Sequence, residues 1–162
     1  MTYILDTNII LDSVENLLTL SDNGTNTLVI PETVIDELDS KKVGFEDINF
    51  NARQFARLLE DSVILENKVV APLHIIKTSV ESLGINLLII SKKDYECDLQ
   101  TTAPNILNDR KILEAASDYI NKVEPATLIS LDIMFRTRAL SLGLAAEALT
   151  GKSSEQPNEF HK

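Results

Sequence analysis

Four acidic residues stand where short apolar runs end or helical patterns begin. Asp6 follows YIL in the string ILDTN, and Asp132 follows LIS in LISLDIMFR. Asp109 lies in NDRKILEAA, and Glu37 in VIPETVIDELDSKK. Taken singly, each has an ordinary structural explanation: Asp is a favoured helix cap, an acid suits the positive end of a helix, and acids on an amphipathic helix face water. Taken together they point further. Carboxylates gathered at one end of a sheet repel one another unless cations screen them, and oxygen-only ligation selects hard ions such as Mg2+ or Mn2+. Two such ions can clamp a phosphodiester and lower the pKa of a bound water. Periodicity leaves one position open. Glu37 and Asp39 flank opposite edges of the Val34/Ile35/Leu38 stripe, while Asp36 points away.

The elements that must position these acids read as alternating strands and helices. Thr2–Leu5, Thr27–Ile30, Asn86–Ser91 and Ala126–Ser130 are short apolar runs, and Leu144–Leu149 is a last strand candidate. Ile9, Leu11, Val14, Leu17 and Leu18 predict a helix after Asn8. Pro31 fits the first turn of the next one. Residues 41–50 read as a linker containing Gly44. Ala52, Phe55, Ala56, Leu59 and Val63 form the clearest amphipathic pattern. Ile112, Leu113, Ala116, Tyr119 and Ile120 mark a helix with Asp109 near its start, and Met134 to Leu142 another that stops at Gly143. Residues 68–84 fit strand or helix, and 92–107 read as a long polar loop. Such alternation predicts an α/β fold with a mainly parallel sheet, in which ligands bind at the carboxyl ends of the strands. Asp6 and Asp132 sit at those ends.

The order ILDTN, VIPETVIDELD, NDRKILEAA and ATLISLDIMFRTRALSLGL resembles the PIN domain, a family of metal-dependent nucleases. It is most similar to the PIN module at the N-terminus of PhoH-like ATPases, a likeness that NARQFARLLE strengthens. The match spans roughly residues 3–147, with 68–107 outside the convincing part. The resemblance implies a three-layer α/β/α sandwich with a central mainly parallel sheet, a nuclease domain over 1–150 and a polar tail over 151–162. It implies that Asp6, Glu37, Asp109 and Asp132 are the catalytic, metal-binding acids, and it selects Glu37 over Asp39. Asn8 and Ser130 match supporting polar positions. Mg2+ or Mn2+ is the implied cofactor and RNA the implied substrate, with single-stranded DNA second. The implied partners are a second copy of the chain, an antitoxin-like inhibitor or a PhoH-type ATPase.

Other signals are weaker. Arg136 and Arg138, one turn past Asp132, are the best candidates to meet substrate phosphate, and at most one of them faces the site. Lys92, Lys93, Arg110 and Lys111 read mainly as solvated surface. His74 and His161 are far apart, and Cys97 in DYECDL lacks the signature of a catalytic thiol. Gly151-Lys152-Ser153 echoes the end of a phosphate-binding loop, but Ala146 replaces its first glycine and Pro157 interrupts any helix after it. A stand-alone module, or a fragment without its ATPase, is expected.

Composition narrows the alternatives. The 162 residues carry a net charge of −10, with 44% hydrophobic and 25% charged residues. These values fit one globular domain. An acidic surface is a poor general partner for nucleic acid or anionic membrane, which argues against a simple coating protein. One cysteine excludes an internal disulfide and a cysteine-based zinc cluster. The opening MTYILDTNII lacks a basic region and a long apolar run, so no signal peptide, no spanning helix and a cytoplasmic location are expected. Two other readings remain at this stage. One is a non-enzymatic binding or assembly module on the same fold. The other is a phosphatase or phosphoacceptor using Asp6 as nucleophile, which Asn8 disfavours because haloacid-dehalogenase phosphatases place a second aspartate there.

Overall fold

The structure, a computed structural model, describes residues 1–97 and 103–149. Gly151-Lys152-Ser153, His161, the expected polar tail and the centre of the 92–107 loop lie outside those residues. In chain order the elements are β1 (Thr2–Leu5), α1 (Thr7–Asp12), α2 (Asn16–Ser21), β2 (Thr27–Pro31), α3 (Glu32–Ser40), α4 (Asp47–Glu60) and β3 (Val63–Val70). They continue with β4 (Leu73–Val80), β5 (Ile85–Lys92), α5 (Pro104–Lys122), β6 (Thr127–Ile129), α6 (Ile133–Ser141) and β7 (Ala146–Glu147).

The strands form one sheet in the order β3-β4-β5-β2-β1-β6-β7. β5, β2, β1, β6 and β7 run parallel, while β3 and β4 extend the β5 edge as an antiparallel meander. From β1 to β2 the chain steps one way along the sheet, and from β5 to β6 to β7 it steps the other. Right-handed crossovers therefore place α1–α4 on one face and α5–α6 on the other. Central strands covered on both faces need unbroken apolar runs. Ile4, Leu5, Leu28, Val29 and Ile30 are accordingly inaccessible to solvent, and they pack with Phe55, Tyr119 and Phe135 from the helices.

Several expectations change. The first predicted helix is two, broken at 13–15. The Asn16 amide donates to Ile9 O at 2.8 Å and Asn51 donates to Leu11 O at 2.7 Å. Side chains thus satisfy carbonyls at the end of α1 that a continuing helix would have used. Val63 belongs to β3 and not to the α4 face; it begins the run VILENKVV, whose branched residues favour a strand. Residues 68–84 hold the end of β3, a turn, β4 and a second turn, with Leu73, Ile75, Thr78 and Val80 buried. Asp109 lies in the second turn of α5, which starts at Pro104.

The connector from α3 to α4 is pinned from inside α4. Arg53 donates to Lys42 O at 2.7 Å and Gly44 O at 2.9 Å, and the Asn49 amide donates to Lys41 O at 2.8 Å. Gly44 has φ +140°, and a Cβ there would stand 2.2 Å from Asn49 Oδ1 and 2.6 Å from its Cγ. Gly44→Ala combines an unfavourable backbone conformation with displacement of an anchoring amide. It is expected to cost about 2 kcal/mol, or roughly 5 °C in melting temperature, as read in a thermal melt.

Candidate functional site

The ends of β1 and β6 adjoin, because these strands pair in parallel through Leu5 and Ile129. Asp6 leaves β1 there, its N–H donating to Ile129 O at 3.0 Å. Its side chain is 5% exposed. Oδ1 accepts from the Thr7 N–H at 2.8 Å, and Oδ2 accepts from Ser130 Oγ at 2.7 Å and Asn8 Nδ2 at 3.2 Å. The same groups tie the start of α6: Ser130 Oγ accepts from the Asp132 N–H at 3.0 Å, and Asn8 Oδ1 accepts from the Leu131 N–H at 3.1 Å. Asp132 caps α6 through the Met134 N–H at 2.9 Å and remains exposed.

Two helices bring the other acids. Glu37 on α3 accepts from the Thr7 hydroxyl on one oxygen and from Asn108 Nδ2 on the other, the latter at 3.1 Å. Asp109 on α5 pairs with Arg138 of α6 at 3.0 Å. Asp39 instead pairs with Lys42 at 2.8 Å and is 71% exposed, and Asp36 is also exposed. The geometry thus separates two acids that helical periodicity could not.

Electrostatics show that the four carboxylates share a field. Burial pushes the Asp6 carboxyl above its ordinary value; Ser130 and the Thr7 N–H pull it back, while Glu37 and Asp132 add to the rise. Burial raises Asp109 to about 6, Asp6 adds to this, Arg138 opposes it, and Glu37 and Asp132 contribute further. Asp6 and Asp109 thus both feel the charges of Glu37 and Asp132, as expected where like charges are held together. Among the described residues, no three Asp, Glu, His or Cys side chains form a ready cage for an ion. The donor set still suits a hard cation, since Mg2+ is commonly held by one or two carboxylates and completes its shell with water.

The basic residues divide. Arg138 reaches the acidic group through Asp109, whereas Arg136 donates to Ser130 O at 2.7 Å and so braces the β6–α6 turn. Lys92 is not rim surface. Its side chain is 4% exposed and pairs with Glu114 and Asp118. Glu114 also accepts from the Glu96 and Cys97 N–H groups, so this cluster fastens the segment after β5. His74 sits on β4 against Asn67, remote in the sheet order from β1 and β6. Thr7 and Asn108 are the site's partners that sequence reasoning missed. Each adjoins a predicted acid, and that adjacency was the signal available.

A family model described as PIN domain matches residues 3–150. The chain belongs to the PIN domain family. Among similar proteins, Protein PhoH2 of Bacillus subtilis is 29% identical over 151 residues, covering 90% of this chain and 32% of that protein. Protein PhoH2 of Mycolicibacterium smegmatis is 28% identical over 146 residues, covering 90% and 31%. The chain thus spans about a third of the length of the curated relatives it matches. A solved domain of a functionally unknown Methanocaldococcus jannaschii protein superposes with a TM-score of 0.57 at 16% identity, covering 91% of this chain and 89% of that one. That likeness supports the mostly parallel, helix-flanked PIN fold.

The raised Asp109 carboxyl fixes the sign of a pH effect. With its folded value near 6 and its ordinary value at 3.8, the folded state holds this proton more tightly. The stability so gained is present at low pH and is lost as pH rises from about 4 to about 6. Asp109→Asn, which keeps the shape without the charge, should therefore stabilise the metal-free protein at pH 7. The expected gain is about 1 kcal/mol or more, roughly 3 °C, the Arg138 attraction being already contained in the folded value. Melting in EDTA at pH 4.5 and pH 7 checks this: the gain should shrink at the lower pH.

Proposed function

We propose that this PIN domain is a divalent-metal-dependent ribonuclease, with Asp6, Glu37, Asp109 and Asp132 as its metal-binding, catalytic acids. The observation that carries the reading is the shared field of these four carboxylates, three of them supported by donors from neighbouring elements. When bound, Mg2+ or Mn2+ supplies charge neutralisation at phosphate and lowers the pKa of water.

The remaining work falls to the chain. Ser130 and Asn8 fix the Asp6 carboxylate, so its lone pairs are aimed before any ligand arrives, which avoids an ordering cost. Asp132, exposed at the α6 cap, faces the side from which substrate would enter. Glu37, clamped by Thr7 and Asn108, orients water or holds a second cation. Arg138 balances Asp109 in the free protein and would be the basic side chain beside the acids that can meet a substrate phosphate. Arg136 positions the Asp132 turn and does not itself meet phosphate. Support for RNA as substrate is the PIN family itself. A PhoH-type ATPase partner is supported by the relatives named above. An antitoxin-like inhibitor and a cytoplasmic location belong to the same proposal. No helix among the described residues is long and apolar enough to cross a membrane.

Two measurements test this. Millimolar Mn2+ should raise the melting temperature, since a ligand that binds only the native state stabilises it by mass action, by about 2–3 kcal/mol at a hundredfold excess over Kd. Asp132→Asn should reduce that gain. Purified protein with Mn2+ should cut single-stranded RNA, EDTA should stop it, and Asp6→Asn should abolish it. Cutting that survives Asp6→Asn would place the activity elsewhere. No Mn2+ binding and no cutting across varied RNA and DNA would favour a non-enzymatic binding module.

A further inference from the structure

The sheet ends at β3, and this edge is unusually open. All but the last of the eight residues of Val63–Val70 are exposed. Val63, Ile64, Leu65 and Val69 are 48%, 63%, 51% and 71% exposed. An edge strand presents unpaired N–H and C=O groups that a further strand can complete, and proteins usually blunt such edges with charge or a bulge. A bulge is present at Leu65, but from Glu66 to Val70 the ladder to β4 is regular. The two charges on that stretch, Glu66 and Lys68, are opposite in sign and lie on one face.

We propose that β3 pairs antiparallel with β3 of a second copy of this chain, about a two-fold axis through Asn67. The sequence VILENKVV is self-complementary in that register. On the regular stretch Glu66 opposes the second copy's Lys68 and the reverse, and the bulged Leu65 meets Val69 at its margin. Shifting the axis to Glu66 sets Glu66 against itself, and shifting it to Lys68 sets Lys68 against itself. Half-step shifts place a charge opposite an apolar residue. Opposed charge pairs and apolar pairs are the units that stabilise a ladder, and directly opposed like charges destabilise it. The interface is isologous, as a two-fold dimer requires. Asn67 Oδ1 contacts His74 of β4, so the axis residue carries a neutral side chain already engaged within its own copy. Eight residues bury less than a standard stable interface, so the dimer is weak and concentration-dependent. The strand lies at the opposite end of the order from β1 and β6, and the carboxylate group stays open in the pair.

Register gives a sharp test. In a two-fold antiparallel pair the axis residues have Cα atoms about 4.5–5.5 Å apart, within disulfide reach. Val69 of each copy would be displaced by four residues, roughly 13 Å along the strand. In a Cys97→Ser background, Asn67→Cys should form a disulfide-linked dimer under mild oxidation at about 100 µM, and Val69→Cys should not. Sedimentation velocity from about 1 to 200 µM should show a monomer–dimer equilibrium. Lys68→Glu should weaken it about tenfold, and Glu66→Lys with Lys68→Glu should restore it. All these positions are exposed, so melting temperatures should not change, and RNA cleavage is not used as a readout. A monomer throughout the range, equal cross-linking at both cysteine positions, or a dimer indifferent to the charge series would overturn the proposal.

Discussion

A carboxylate cannot be withdrawn from water without donors, and Asp6 is withdrawn almost completely. Its donors are a hydroxyl on the neighbouring strand, an amide two residues on and the next backbone N–H. Meeting that requirement joins the ends of β1 and β6 and, through Ser130 Oγ and the Asp132 N–H, ties the start of α6 to the same carboxylate. Glu37 and Asp109 then enter from helices whose own contacts, Thr7, Asn108 and Arg138, are directed at this one charge centre. The local architecture is a set of answers to one electrostatic problem. The answer is incomplete without counter-charge, because Glu37 and Asp132 still raise Asp6 and Asp109.

The sheet is divided in its work. Its parallel part carries Asp6 and Asp132 just past the carboxyl ends of buried strands, and the helices that cover it bring Glu37 and Asp109. The antiparallel meander carries none of the four. Between them, β5 ends in Lys92, which is sealed by Glu114 and Asp118. Desolvation disfavours the Lys92 charge, and its two carboxylate partners overcome that and raise its affinity for the proton. Glu114 spends its remaining capacity on the backbone of Glu96 and Cys97. A buried cation thus holds Glu96 and Cys97, just after β5, against α5, the helix that carries Asp109.

How much of this was legible depended on the range of the information. Apolar runs such as ILVI-type strands, and the acids directly after them, announce themselves locally, so β1, β2, β5 and β6 and the positions of Asp6 and Asp132 follow from pattern. The PIN resemblance supplied Glu37, where periodicity could not separate it from Asp39. The structure then places the two residues in different surroundings. What pattern did not carry was determined by distant partners. The break after α1 depends on Asn16 and Asn51, amides that look like ordinary polar residues in the string. The β3–β4 hairpin is ambiguous because its exposed strand lacks the alternation of a half-buried one. Lys92 reads as surface because its two carboxylate partners lie more than twenty residues away. Asn108 reads as a filler beside Asp109 until α3 is brought against α5.

The bond between Ser130 and Asp6 spans 124 positions of sequence. Contacts of such separation form late, since the loop must be closed before the contact can reward it. At synthesis rates of about 5–20 residues per second, the interval between making Asp6 and making Ser130 is roughly 6–25 s. Throughout that interval a nascent chain holds the first carboxylate without its hydroxyl partner, without β6 and without Asp132. The acidic centre therefore comes into being as a threshold event, once Ser130 and Asp132 have been made, and a partially made chain carries its parts without its assembled form.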